Sequence, residues 1–108
     1  MAKRILLVEN EKNLARFVTL ELQKEAFLLD VVETGSQGLA LAKENDYDLF
    51  LLNYDLQDMT ASEFARQLSL FKPASVIIVL ASREEIKEHV DEIQRFAVSY
   101  TVKPFIIS

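Results

Sequence analysis

The chain has 108 residues, half of them hydrophobic, which is enough for one compact core and too few for two. A formal net charge of −5 leaves no concentrated positive surface with which this segment alone would hold nucleic acid. With no cysteine and a single histidine, disulfides, zinc-thiolate sites and thiol catalysis are excluded and little remains for a transition-metal cage, so no cofactor and no metal are expected.

Met1 to Arg4 lead into only four apolar residues before acidic ones follow, too short a run for a signal-peptide core or a membrane span; a cytoplasmic protein without membrane contact is expected. The first apolar run, Ile5 to Val8, reads as a strand. Helical spacing follows from near Lys12, where Leu14, Phe17, Val18 and Leu22 share one stripe. Leu28 to Val32 is a second strand. A weaker helix is placed at about 36 to 44, with Thr34 or Ser36 capping its start and Leu39 and Ala42 on one face. Leu49 to Leu52 is the third strand, and Phe64 with Leu68 marks the third helix. Val76 to Leu80 is the fourth strand, Ile86, Val90 and Ile93 mark the fourth helix, and Val98 to Val102 is a weaker fifth strand. Unbroken apolar strands, rather than alternating ones, are what a parallel sheet covered on both faces requires. The alternation predicts an α/β, doubly wound, five-stranded parallel sheet as one domain over residues 1–108. A fifth helix would complete it, and only Ile106, Ile107 and Ser108 follow Phe105, so that helix is expected to lie beyond the chain given.

In such a sheet, ligands bind at the carboxyl ends of the strands. Those ends carry Glu9, Asn10 and Glu11 after the first strand, Asn53 at the third, Ala81 and Ser82 after the fourth, and Lys103-Pro104 after the fifth. Together with Ile5-Leu6-Leu7-Val8, Asp48 to Leu52 before Asn53, and Tyr100 to Phe105, this set resembles the receiver domain of bacterial two-component response regulators over nearly the whole chain. The nearest likeness is to the branch carrying a winged-helix DNA-binding domain. The resemblance implies strand order 2-1-3-4-5, a C-terminal output domain through which alone DNA would be bound, and a homodimer.

The departures from the family pattern are informative. Asn53 stands where the resemblance implies the phosphoacceptor aspartate, and an uncharged amide neither attacks a phosphoryl donor nor attracts Mg²⁺ comparably. Asn10 replaces the metal-binding acid of the pair, which leaves Glu9. Ala81 replaces the hydroxyl residue that couples phosphate to the rest of the domain. Lys103 matches, and its ammonium is expected to pair with Glu9 or to donate to the Asn53 oxygen. Pro104 matches the family proline that follows a cis bond. The loop after Asn53 carries Gln57 where Pro is common and Ala61 where Gly is common. Catalytic residues are therefore not expected, and Glu9, Asn10, Asn53, Ala81 and Lys103 read as a degenerate phosphorylation pocket.

Other residues have competing readings. Tyr100 matches the family's switch aromatic, and without a hydroxyl at Ala81 a single trapped rotamer is favoured over a switch. The acidic start of the first helix suits its positive N-terminal end. Asp55 and Asp58 read as solvated loop acids, and His89 as a surface histidine without function. The mixed-charge run from Arg83 to Arg95 reads first as a solvated helix face. Because the resemblance implies a dimer interface of the fourth helix and fifth strand, Ile86, Lys87, Val90 and Asp91 are expected at an interface instead.

The leading expectation is a phosphorylation-independent regulatory domain of an orphan DNA-binding regulator, acting through dimerisation or interdomain contacts, with iron-uptake genes among the candidate targets. The alternative is a Mg²⁺-dependent phosphotransfer domain using Glu9, Lys103 and Asp55 as a substitute carboxylate. A nucleotide-binding domain is disfavoured, because Glu9-Asn10-Glu11 occupies the place of a glycine-rich phosphate loop.

Overall fold

The computed structural model describes residues 2–103. Five strands alternate with four helices: β1 (Arg4–Val8), α1 (Lys12–Gln23), β2 (Leu28–Val32), α2 (Gly35–Glu44), β3 (Leu49–Asn53), α3 (Ala61–Ser69), β4 (Ile77–Ala81), α4 (Arg83–Phe96) and β5 (Ser99–Val102). The strands are all parallel, in the order β2-β1-β3-β4-β5. The predicted order and type of every element hold, with boundaries moved by a residue or two. The expected cis bond before Pro104 and the residues after it lie outside the described residues.

Each helix starts where its local chemistry dictates. The Thr34 side chain accepts from Gln37 N–H while the Gln37 side chain accepts from Thr34 N–H, a reciprocal cap that starts α2 at Gly35. Ser82 and Glu85 form the same box at α4. Thr60 caps α3 through Glu63 N–H. The first turn of α1 carries no acid, and Glu11, its N-cap, makes no side-chain cap bond; the Glu11 N–H is instead taken up by the Glu9 carboxylate ahead of the helix.

Among the described residues the sheet is not covered equally on its two faces. On one face Leu6, Val8, Phe50, Leu52 and Val79 pack against α2, α3 and α4. On the other, Ile5, Leu7, Leu51 and Leu80 meet α1 alone. An apolar groove of about 570 Å³ therefore stays open between α1 and β5, lined by Phe17, Val18, Leu22, Leu51, Ile78 and Leu80. All of β5 is exposed.

Gly38 lies where α2 presses closest on the sheet. A Cβ there would stand 2.9 Å from Phe64 and 2.9 Å from Val8, both fully buried. Gly38→Ala should therefore lower unfolding free energy by about 1–3 kcal/mol through overpacking, although alanine is favoured over glycine in a helix by about 1 kcal/mol. Urea denaturation checks the sign; an unchanged or raised midpoint would show that α2 lifts off the sheet freely.

Candidate functional site

The parallel ladder carries each strand end one step further. Glu9 N–H donates to Val32, Tyr54 N–H to Leu80 and Lys103 N–H to Ala81, at 2.9–3.0 Å. Glu9, Asn53 and Ala81 are thereby gathered at one edge of the sheet. Glu9 and Asn53 are 1% and 4% exposed and are the two buried polar side chains among the described residues.

They are bound to each other. Asn53 Nδ2 donates to Glu9 Oε2 at 3.0 Å and to Asn10 Oδ1 at 3.1 Å. Glu9 Oε2 also accepts from Glu11 N–H at 3.0 Å. Turned over, the Asn53 amide would set its oxygen against two acceptors, so the hydrogen-bond partners fix its orientation. Burial pushes the Glu9 carboxyl above its ordinary value of 4.5, outweighing the Glu11 N–H, the positive charge of Lys103 and the Asn53 amide, all of which favour the ionised form.

Lys103 acts on Glu9 through its charge and not by the expected contact. The two oxygens it was to serve, Glu9 Oε1 and Asn53 Oδ1, are buried without a hydrogen-bond partner. The Mg²⁺ implied by the family resemblance fits this set badly. One carboxylate is present, and the Glu9 and Asn10 oxygens nearest Asn53 already face its N–H donors where a hard cation would need bare oxygen ligands. Among the described residues no three His, Asp or Glu side chains are grouped to hold a metal ion.

The remaining site positions fall as follows. Ala81 is fully buried and brings no hydroxyl to the edge. Tyr100 pairs in register with Val79, and Val102 with Ala81, so both sit on the α4 side of the sheet. Tyr100 is 37% exposed and is not shut inside. On α4, Ile86 and Val90 are half-buried while Lys87 and Asp91 are exposed.

The loop between Asn53 and α3 was misread from sequence in one respect. Asp55 is exposed, as expected, and accepts from Gln57 N–H at 2.9 Å. That turn holds Gln57 at a left-handed φ of 70°, which costs a residue with a Cβ about 1–2 kcal/mol. Asp58, expected to be merely solvated, caps α2 from across the molecule. Its carboxylate accepts from Gly35 N–H, Ser36 N–H and Ser36 Oγ–H at 2.8–2.9 Å. Burial would raise its pKa, but these donors outweigh burial and hold the carboxyl below its ordinary 3.8.

A second cluster was also missed. Tyr54 O–H donates to Glu92 at 3.1 Å, Ser62 O–H donates to the same carboxylate, and the His89 ring stacks on Tyr54 with centroids 4.6 Å apart. The one available signal was the i,i+3 spacing of His89 and Glu92. Nothing in the sequence joins that pair to Tyr54.

Comparison with known proteins places this geometry. Residues 5–108 match the family model of the response regulator receiver domain. The chain belongs to that family. The response regulator ArlR of Staphylococcus epidermidis is 38% identical over 103 residues, 95% of this chain and 47% of that protein. A structure of the inactive form of the regulatory domain from the repressor of iron transport regulator, RitR, is 53% identical with a TM-score of 0.90, covering 97% of this chain and 85% of that one. A structure described as a novel family of redox sensors in the streptococci, evolved from two-component response regulators, is 53% identical with a TM-score of 0.91, covering 97% of this chain and 46% of that one. The chain thus spans about half the length of the curated relatives it matches. Receiver domains form a regulatory rather than a catalytic family, and no described helix is long and apolar enough to cross a membrane.

Two outcomes test the receiver site. A carboxyl whose pKa is raised by folding makes the folded state bind more protons between its ordinary and raised values, so stability falls as pH rises through that window. Glu9→Gln keeps an acceptor oxygen and removes the charge. It should raise the melting temperature at pH 7.5 by roughly 4 °C, about 1 kcal/mol, and flatten the decline above pH 4.5. A melting temperature lowered at pH 7.5 but matched to the natural chain below pH 4.5 would mean that the ionised carboxylate is needed. Asp58→Ala should cost about 1 kcal/mol in denaturant unfolding, with the wild-type advantage present above the unfolded carboxyl pKa and lost as pH falls through the depressed folded value. Equal stability of the two at neutral pH would remove Asp58 as a cap.

Proposed function

We propose that this receiver domain regulates without an aspartyl phosphate, setting the association or placement of an attached DNA-binding domain through the α4–β5 face. The observation that carries the reading is the Asn53 side chain, whose N–H donors are spent on Glu9 and Asn10. A nucleophile and a metal would both have to occupy that space, and the amide fills it with an internal hydrogen-bonded plug. Ala81 adds no hydroxyl with which a phosphoryl group would be sensed. Lys103, left without either expected contact, supplies a positive charge that partly offsets the buried Glu9.

The rest of the reading is assembled from similarity and pattern. Relatives of about twice this length support a C-terminal winged-helix domain that makes all contact with DNA, and a fifth helix covering the α1–β5 groove before it. Likeness to the RitR structures supports transcriptional control of iron uptake in the cytoplasm. Ile86, Lys87, Val90 and Asp91 form a half-buried, half-exposed strip on α4 suited to a two-fold homodimer of apolar contacts flanked by ion pairs. The Mg²⁺-dependent phosphotransfer alternative depends on Asp55, which is exposed and committed to the Gln57 turn.

The test is intact mass and thermal melting with acetyl phosphate and Mg²⁺, beside an Asn53→Asp, Asn10→Asp variant. The natural chain should gain no mass and show no shift, while the variant should gain about 80 Da, one phosphoryl group. An adduct on the natural chain would overturn the proposal and make Asp55 the acceptor to test.

A further inference from the structure

The Tyr54, Ser62, His89 and Glu92 cluster lies outside the strand-end site and ties three elements together. Glu92 on α4 accepts from Tyr54 at the end of β3 and from Ser62 on α3. His89, one turn earlier on α4, places Nδ1 3.4 Å from Glu92 Oε2 and Nε2 3.6 Å from Glu88 Oε2. Its ring lies nearly flat on Tyr54, at 18° between planes. Tyr54 directly follows Asn53 and is 8% exposed.

Two features make this cluster mechanically important. Ile93 is the one fully buried side chain of α4, with Ile86 and Phe96 packed half-buried against the same core, and the polar contacts around Glu92 add to that apolar docking. His89 and Glu92 also lie on the edge of α4 that meets α3, whereas Lys87 and Asp91 are exposed on the other edge. A change on one edge therefore alters how the other is presented.

The surroundings of the imidazole are one-sided in charge. From α4, Glu85, Glu88 and Glu92 stand beside it or beside Tyr54, and Asp55 from the β3–α3 loop adds to the negative field at the Tyr54 ring. From α3, Ser62 contributes only a hydroxyl. Tyr54 stays neutral, since burial and Glu92 push its pKa up to about 12. Among the described residues no lysine or arginine forms an ion pair with Glu85, Glu88 or Glu92. The Ser62 bond, with help from Tyr54 and His89, holds the Glu92 carboxyl below its ordinary 4.5 against the opposing effect of burial.

We propose that His89 and Glu92 form a proton-responsive latch that fastens α4 to Tyr54 and α3 and thereby sets the exposed α4–β5 face. Protonation adds a positive charge between two carboxylates and tightens the helix; deprotonation removes it and leaves a neutral ring among acids. Imidazoles change charge between about pH 8 and 5. The latch does not depend on whether Asn53 takes phosphate.

His89 is the chain's single histidine, so one imidazole signal reports it without assignment by mutation. The measurement is a proton NMR titration from pH 5 to 8 of the His89 ring and of the α4 amides, in the natural chain, Glu92→Gln and His89→Gln, with melting temperatures at pH 6.0 and 8.0. Amides of Arg83–Phe96 should titrate together with the ring. Glu92→Gln should move the ring midpoint to lower pH, and the natural chain should gain about 3 °C at pH 6.0 over pH 8.0 relative to His89→Gln. A ring that titrates while the α4 amides stay still would overturn the latch. So would a midpoint indifferent to Glu92→Gln, or a pH-dependent gain that survives in His89→Gln. None of these outcomes bears on the phosphodonor test.

Discussion

The Asn53 amide between Glu9 and Asn10 is the contact on which the strand-end edge depends. Glu9 is a carboxylate almost wholly removed from water, its backbone held by the ladder bond to Val32 and its Oε2 by the Glu11 and Asn53 N–H donors. A second carboxylate at position 53, at the same 3.0 Å separation, would meet it with a repulsion on the order of 5 kcal/mol even at a screened effective dielectric of about 20. Such a pair survives only with a cation or a proton between the groups. An amide removes that requirement, because its N–H groups supply the positive ends that a metal would otherwise bring. What remains unbalanced is smaller: a raised Glu9 pKa, a lysine charge nearby and two oxygens without partners. The edge is thus closed by amide donors on a single carboxylate where the family resemblance implies several carboxylates around a cation.

With Ala81 offering no hydroxyl, communication from this edge must run along other contacts. The loop after Asn53 provides them on both sides. Asp58 grips the amino end of α2, and Tyr54 reaches Glu92 on α4. Leu56, fully buried between them, pins the loop to the core, while the Asp55 turn and the left-handed Gln57 shape its tip. One short segment therefore sets how two helices sit on the same sheet face. Any rearrangement near Asn53 would be felt at α2 and α4 together, since neither tie is independent of the loop that carries both.

Much of this was legible in the sequence, and the division follows a physical line. Strand runs such as Leu49 to Leu52, the stripe of Leu14, Val18 and Leu22, and the Thr34 cap are local patterns with their own periods, so they could be read directly. The strand-end residues were legible because a parallel sheet brings the ends of sequence-distant runs to one edge. Asp58 and Glu92 were not, because their partners stand 22 to 38 residues away with no repeating relation to them. The expected Lys103 contact failed for a related reason: charge complementarity named a partner but did not fix where a long flexible side chain would point.

A regulatory domain that lacks phosphate chemistry still obeys the same thermodynamic rule as one that has it: an input shifts the balance between two arrangements only by its different affinity for each. Phosphorylation supplies a large local charge, so a receiver that uses it tolerates a strongly biased resting state. An input as small as one proton supplies about 1.4 kcal/mol for each tenfold difference in affinity. Control of that size requires the two positions of α4 to be nearly balanced beforehand. Ile93, the half-buried Ile86 and Phe96, and the partly exposed polar ties around Glu92 are what dock α4, and of these side chains Ile93 alone is fully buried. Weak docking of α4 is then the condition under which small inputs have large effects, and the bracing of Asn53 keeps the rest of the edge from moving with it.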